Sequence, residues 1–305
     1  MTVKERFLNK ERSWTDILPL VFVQAYLWMN AGGILSHLIQ ADKWSRLFVN
    51  RIKIATDMGD YMFSIGFCAA MIAALVIFRK NRPLLRVLCP ERKIRILTGS
   101  VIGLVLGFAL NASVIAGAVL TGCLTLTPAN AKPLTVIGYL IAIFFQAGGE
   151  ELICRMYIMG KLRRRYKSPA VAIAGNALFF LIFHLGNPGI NAASIINILA
   201  AGIMFSLIVY YSENIWTAIG LHTAWNFTQV VLFGLPNSGV ASVYSVFKVE
   251  QACDGFFFDS GFGVEGSWAA TLLLCIVAAG IVVFAKTGRK GLSNRSDSRL
   301  DCSAV

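Results

Sequence analysis

Residues 134–158 read LTVIGYLIAIFFQAGGEELICRMYI, and the class of fold follows from this segment. Its first twelve residues are uncharged, and only Glu150, Glu151 and Arg155 carry charge in the remainder. At about 1.5 Å per residue, a helix of this length spans the ~30 Å hydrocarbon core of a bilayer. The stretch therefore predicts a membrane helix with ionisable side chains at membrane depth.

The composition extends this prediction to the whole chain. Of the 305 residues, 56% are apolar and only 14% are charged, and the mean hydropathy is +0.66. A soluble domain needs more polar side chains than this to cover its surface. We predict an all-α integral membrane protein with about eight transmembrane helices, at residues 17–39, 60–78, 96–124, 134–158, 169–187, 192–212, 215–234 and 267–285.

The net charge of +12 is concentrated at one face of the membrane. If the predicted helices alternate in direction, 21 of the 28 Lys and Arg residues lie on one side and six lie on the other. Cytoplasmic loops are the more positive ones, so both termini are predicted to be cytoplasmic. A basic excess in such loops indicates contact with anionic lipid, and we expect no nucleic-acid partner. The composition is typical of a bacterial protein, which predicts the bacterial cytoplasmic membrane as its location.

Two neighbouring glutamates lie inside the helix quoted above. At their spacing of four residues, Glu151 and Arg155 can pair on one helix face. Glu150 points about 100° away, toward the side of Gln146 and Cys154, and has no cation of its own. Because a charge within the membrane is costly, each one needs a partner or a function. We therefore predict one structural ion pair and one free carboxylate.

Two of the three histidines also lie deep in apolar runs. His184 ends the segment Phe180-Leu-Ile-Phe-His184, and His222 begins the segment His222-Thr-Ala-Trp-Asn226. A spacing of four places the end residues of each segment on one helix face. A single buried histidine is commonly a satisfied core residue, but two of them with an amide and a spare carboxylate indicate a polar site. His37, near the end of the first span, is interpreted as structural.

Three motifs in this order resemble a known family. They are Glu-Glu-x-x-x-Arg at 150–155, Phe-x-x-x-His at 180–184 and His-x-x-x-Asn at 222–226, each on its own membrane helix. Together they resemble the CPBP family, the CAAX-processing and bacteriocin-processing (Abi) intramembrane proteases, which are related to the type II CAAX prenyl endopeptidase. The resemblance covers residues 134–235, with a weaker similarity at 261–266.

The resemblance implies an intramembrane endopeptidase that hydrolyses a membrane-associated protein or peptide. It implies that Glu150 and His184 activate a water molecule. It further implies that His222 and Asn226 hold the oxyanion of the intermediate. We expect this site to open toward the cytoplasm, and the bilayer to be a partner of both the enzyme and its substrate.

The same resemblance implies a supporting role for Glu151 and Arg155, which would hold the helix end in place. It also leaves a metal-dependent alternative open. Glu150, His184 and His222 are the two histidines and one glutamate that hold catalytic zinc in some soluble proteases. Because no two of the three lie on one helix, we favour a site without a cofactor and keep zinc as the alternative.

Two functions of other classes use the same residues. A non-catalytic peptide-binding or bacteriocin-immunity protein would keep the glutamate and the histidines as a pocket lining. A proton-coupled transporter would use them as a relay. The two halves of the chain share no pattern of broken helices, which disfavours a transporter built on inverted repeats.

The resemblance also divides the chain. Residues 1–133 hold three membrane helices and basic loops, 134–235 the catalytic core, 236–293 an external loop and the final helix, and 294–305 a disordered tail. Seven cysteines form no CxxC pair and are interpreted as packing residues rather than a disulfide framework or a zinc site.

Overall fold

The computed structural model describes residues 13–89 and 93–300. Helices dominate this part of the chain, and ten of them are α-helical. They are α1 (Leu18–Leu38), α2 (Ile52–Met62), α3 (Ser64–Ile77), α4 (Ile94–Leu120), α5 (Pro133–Glu151), α6 (Met159–Arg165), α7 (Pro169–His184), α8 (Ala192–Ser212), α9 (Ile215–Phe227) and α10 (Trp268–Leu300). Two strands, β1 (Leu124–Pro128) and β2 (Phe247–Ala252), pair antiparallel outside the helices.

The all-α membrane fold is confirmed. Within the described residues, six helices are long and apolar enough to cross a membrane, and α7 is a shorter apolar helix. An eighth helical segment corresponds to the predicted span at 215–234, because α9 continues through a π-helix at Thr228–Leu232. The chain is therefore an integral membrane protein, and its predicted orientation stays a prediction.

The second span begins earlier than predicted, at Ile52 rather than at residue 60, and is broken at Phe63 between α2 and α3. A side chain of α1 stabilises the break. The Ser36 hydroxyl donates to the Phe63 carbonyl oxygen and accepts from the Gly66 N–H at 3.1 Å. These bonds satisfy backbone groups that the interruption removes from the helical ladder.

The fourth span is longer than predicted and does not end at Ile158. It runs for 33 residues, from Pro133 to Arg165, and a π-helix at Leu152–Ile158 joins α5 to α6. Basic residues of the expected loop are buried in α6 because Asp16 neutralises them: Arg164 Nη2 lies 2.8 Å and Lys161 Nζ 3.2 Å from Asp16 Oδ1.

A stripe of small residues fixes α9 against α4. A Cβ at Gly99 or Gly103 would collide with Asn214 or with the Thr217 carbonyl oxygen, and one at Gly107 with the Leu221 carbonyl oxygen. The matching order along both helices shows that α4 and α9 run parallel. Small residues allow this close approach between membrane helices.

Local signals fix the starts of the helices that hold the polar residues. Pro133 and Pro169 occupy the first positions of α5 and α7, where proline is favoured because its missing N–H is not needed. Asn191 and Ser194 form a reciprocal capping box at the start of α8. The Asn214 side chain caps α9 by accepting from the Trp216 N–H at 3.0 Å.

The sheet was not predicted. β1 pairs with β2 from Leu124↔Ala252 to Pro128↔Phe247, and both strands alternate apolar and polar side chains. The expected disorder from residue 294 also differs from the structure, because α10 continues to Leu300 and no proline interrupts it. Residues 301–305 of that tail lie outside the described residues.

Candidate active site

A cavity of about 390 Å³ lies between the helices and the loop at 235–266. Four of the six predicted site residues line it, and they come from α5, α7 and α9: Glu150, His184, His222 and Asn226. A cavity of this volume is large enough for a ligand. Glu151 and Arg155 do not line the cavity, and they lie fully buried behind it.

The two oxygens of Glu150 differ in their surroundings. Oε1 accepts a hydrogen bond from Gln146 Nε2, one helical turn earlier. Oε2 is buried and has no hydrogen-bond partner among the described residues, and it lies 3.7 Å from His222 Nε2. The carboxylate predicted from the sequence to be free therefore has one buried oxygen without a hydrogen bond among the described residues.

The Glu151 carboxylate contacts two other side chains. Its Oε1 lies 3.0 Å from Arg155 Nη1 and 3.0 Å from His222 Nδ1, and its side chain is fully buried. A carboxylate only accepts, so the Nδ1 of His222 carries a proton and its Nε2 faces Glu150. The expected pair with Arg155 is present, and the sequence analysis missed the bond to His222.

The guanidinium of Arg155 is enclosed by aromatic rings. Its Cζ lies 4.7 Å from the centroid of Phe180 and 4.9 Å from that of Phe205. Arg155 Nη2 also donates to the Gly202 carbonyl oxygen at 3.4 Å. Two aromatic rings at these distances stabilise a cation that has left water. Phe180 of the Phe-x-x-x-His motif thus packs against the arginine of the first motif.

His184 is oriented by its own helix. Its Nδ1 lies 2.8 Å from the Phe180 carbonyl oxygen, which can only accept. Nδ1 is therefore the protonated nitrogen in the neutral ring, and the lone pair of Nε2 is left for the cavity. The spacing of four residues between Phe180 and His184 produces this contact.

An amide chain connects α9 to α5. Asn226 Nδ2 donates to Gln146 Oε1 at 3.0 Å, and Gln146 in turn donates to Glu150. One N–H of Asn226 is used in this way, and its second N–H is left for a ligand. Gln146 was noted in the sequence only for sharing a face with Glu150, and no local pattern predicts its bond to α9.

The wall opposite α5 comes from the loop at 235–266. Glu265 accepts from Trp225 Nε1 at 3.1 Å and from both the N–H and the hydroxyl of Ser238, at 2.8 and 2.6 Å. Gly239 and Gly263 have φ of +85°, and a Cβ on either would collide with a carbonyl oxygen of Pro188 or Pro236. Glu265 was missed, although it lies in the weakly similar segment at 261–266.

The cavity extends toward the side that was predicted to be external. Asn187, Asn237 and Ser238 line it; Asn237 and Ser238 belong to the loop at 235–266, and Asn187 is the last residue of the predicted fifth span, at the end placed outside the cytoplasm by the charge pattern. The expected opening toward the cytoplasm, which rested on the family resemblance, stays a prediction. The loop at 235–266 supplies part of the cavity wall.

Two π-helical segments follow the site residues. One begins directly after Glu151 and the other directly after Phe227. The wider turn changes which residues share a face. Cys154, expected beside Glu150, instead packs in the core with 3% exposure and does not line the cavity.

The fit of a metal can be tested on the donors themselves. Among the described residues, no group of three or more His, Cys, Asp or Glu is arranged to hold a metal ion. His184 Nδ1 and His222 Nδ1 are both bonded to protein oxygens. A histidine that binds a metal through Nε2 commonly has its Nδ1–H bonded in this way, so these bonds do not decide against zinc, and the choice between a site without a cofactor and a zinc site stays a prediction.

The comparison with protein families agrees with the three motifs. Residues 132–228 match the family described as "Type II CAAX prenyl endopeptidase Rce1-like". The match includes all six predicted site residues, and it confirms the family resemblance drawn from the sequence. No curated protein and no solved structure matches the chain.

Proposed function

We propose that this chain, an integral membrane protein whose residues 132–228 form a domain of the Rce1-like type II CAAX prenyl endopeptidase family, is an intramembrane endopeptidase using glutamate-activated water. The observation that carries the proposal is Glu150 Oε2, which is buried without a hydrogen-bond partner beside a cavity shared with His184 and His222. A base of this kind must reach the proton that it removes.

Water activation is assigned to Glu150 and His184. With Oε1 held by Gln146, Glu150 Oε2 takes one proton from a water molecule in the cavity, and the Nε2 lone pair of His184 accepts a hydrogen bond from the remaining O–H. The hydroxide attacks the peptide carbonyl carbon. Glu150 then returns its proton to the amine that leaves.

Stabilisation of the oxyanion is assigned to His222 and Asn226. When His222 is protonated, its Nε2–H can donate to the oxyanion, and Glu151 at 3.0 Å from Nδ1 stabilises that charge. The second N–H of Asn226 is a further donor. Donors fixed in place before the reaction are an effective means of stabilising charge that develops in the transition state.

The charge of the cavity bears on the substrate. Among the described residues that line it, Asp57, Asp60, Glu150 and Glu265 are carboxylates, and none is Lys or Arg. No lysine or arginine of the described lining is therefore available to pair with a carboxylate of a peptide side chain. We expect substrates whose residues beside the cleaved bond are neutral or basic.

The test compares purified wild type with Glu150→Gln in lipid bilayers, using a library of membrane-anchored peptides that vary in charge. Glu150→Gln should lower the cleavage rate about 10²- to 10⁴-fold, the usual contribution of general acid–base catalysis. Glu250→Gln is the matched control, because Glu250 is an exposed carboxylate on β2.

Each outcome has a defined meaning. Cleavage that requires Glu150 and survives a strong zinc chelator supports the proposal, and chelator-sensitive cleavage supports the zinc alternative. If folded wild type cleaves no peptide but binds some of them, the chain acts as a binding or immunity protein. A preference for acidic peptides would contradict the expected substrate class alone.

A further inference from the structure

Two cysteines face each other at the open end of the small sheet. Cys123 directly precedes β1 and Cys253 directly follows β2, so the register Leu124↔Ala252 continues to this pair. The Cys253 N–H donates to the Cys123 carbonyl oxygen at 3.0 Å, and the two sulfur atoms are 3.1 Å apart.

The backbone geometry suits a covalent link. Residues opposite each other in an antiparallel pair have Cα atoms about 4.5–5.5 Å apart. Disulfides join Cα atoms that are about 4.4–6.8 Å apart, so the strands need no rearrangement. Gly255 leaves room for the sulfur, since a Cβ there would lie 3.0 Å from Cys123 Sγ.

The predicted compartment also favours a disulfide between the two cysteines. Because α4 ends at Leu120, Cys123 lies beyond the third span, at its end predicted to be external, and Cys253 lies in the loop at 235–266, which is also predicted to be external. Disulfides persist in such oxidising compartments and are rare in the cytosol. Cys89 lies in the basic segment at 79–95, predicted to be cytoplasmic, and is expected to stay reduced.

We propose that Cys123 and Cys253 form a disulfide that ties the external loop to α4. A disulfide of a thiol oxidoreductase is the oxidant. One cysteine thiolate attacks it, giving a mixed disulfide and releasing one thiol of the oxidant. The second cysteine thiolate then attacks the mixed disulfide and displaces the oxidant's remaining thiol. Two electrons and two protons thereby pass from the cysteine pair to the oxidant.

An enzymatic oxidant is expected for a physical reason. The hydrogen bond to Cys123 raises the pKa of the Cys253 thiol, so little thiolate is present at neutral pH. Because the thiolate is the attacking species, uncatalysed oxidation is slow.

The position of the link relates it to the cavity. The chain between Cys123 and Cys253 contains the whole matched domain at 132–228. The link holds the loop that supplies Ser238 and Asn237 to the cavity wall against α4, whose glycines pack on α9. The disulfide would therefore fix the outer wall of the cavity relative to the helix of His222.

The test is differential alkylation of the full chain taken directly from cell membranes. Free thiols are blocked with N-ethylmaleimide in denaturing detergent, the sample is reduced, and newly exposed thiols are labelled with iodoacetamide. In wild type, Cys123 and Cys253 should carry only the second label and Cys89 the first. In Cys253→Ser, Cys123 should carry the first label, with Cys275→Ser as the unaffected control.

The unreduced sample provides the second measurement. Mass spectrometry should find the two cysteine peptides linked and lighter than their sum by two hydrogen atoms. The first label on both cysteines of wild type, or a link to any other cysteine, would overturn the proposal. The result does not depend on cleavage activity, so it is independent of the proposed function.

Discussion

The buried pair of Glu151 and Arg155 permits a quantitative test. Glu151 is 0% and Arg155 is 1% exposed, and their charges are 3.0 Å apart. Removing one partner of a buried pair costs about 3–5 kcal/mol because the other charge is left uncompensated. Glu151→Gln and Arg155→Met should therefore each lower the free energy of unfolding by about 3–5 kcal/mol.

The double variant should cost far less than the sum of the two single variants, because neither charge is left behind. The glutamine amide oxygen still accepts from His222 Nδ1–H, but that bond is no longer to a charged group. The double variant also loses the stacking of Arg155 on Phe180 and Phe205, worth up to about 2 kcal/mol. A coupling free energy of about 3 kcal/mol or more is expected between the two positions.

The measurement is equilibrium unfolding in lipid–detergent micelles, followed by the fluorescence of the six tryptophans. The matched control is the cycle at Lys248 and Glu250, an exposed pair 3.7 Å apart whose side chains are 66% and 49% accessible. Solvent screens that pair, so it should show little or no coupling. Additive effects of Glu151→Gln and Arg155→Met would refute the reasoning.

Two further predictions test packing and chemistry. Gly103→Ala should lower the thermal unfolding midpoint because its Cβ would collide with the Thr217 carbonyl oxygen. Gly280→Ala is the control, and because the space around Gly280 is open, the midpoint should be unchanged or raised. An unchanged midpoint in Gly103→Ala would contradict the close packing of α4 and α9. His184→Gln should abolish cleavage while leaving the stability nearly unchanged, because the one hydrogen bond of His184 among the described residues is within its own helix. His37→Gln is the control, because His37 is exposed. Full activity in His184→Gln would contradict the assignment of His184 to water activation.

Hydropathy predicted the helices well because the cost of placing polar groups in lipid acts locally on each segment. The error at the end of the fourth span arose because a distant residue neutralised its charges. The predicted loop at 159–168 begins as buried helix because Asp16, from another part of the chain, pairs with Lys161 and Arg164. Neither the length of an apolar run nor its flanking charges contain that information.

In the candidate site, too, contacts within one segment were predicted and contacts between distant segments were not. The pair of Glu151 and Arg155 followed from a spacing of four residues. The bond from His222 to Glu151 joins residues 71 positions apart, and the bonds of Glu265 join α9 to a loop. Contacts between segments depend on how the helices pack, so no single motif predicts them.

The charges around Glu150 indicate how one cluster can supply both a base and an oxyanion donor. Glu150 and Glu151 bring two negative charges and Arg155 brings one positive charge, so one proton on His222 would make the cluster neutral. Glu151, 3.0 Å from His222 Nδ1, favours that proton on the imidazole. Glu150 is then ionised, as a base must be, while His222 Nε2–H is ready to donate. In Glu151→Gln the charges of Glu150 and Arg155 already cancel, so the cluster is neutral without that proton on His222 and the Nε2–H donor is lost. Glu151 therefore acts as a positioning residue outside the cavity, and its loss should lower the rate by removing the oxyanion donor while Glu150 remains as the base.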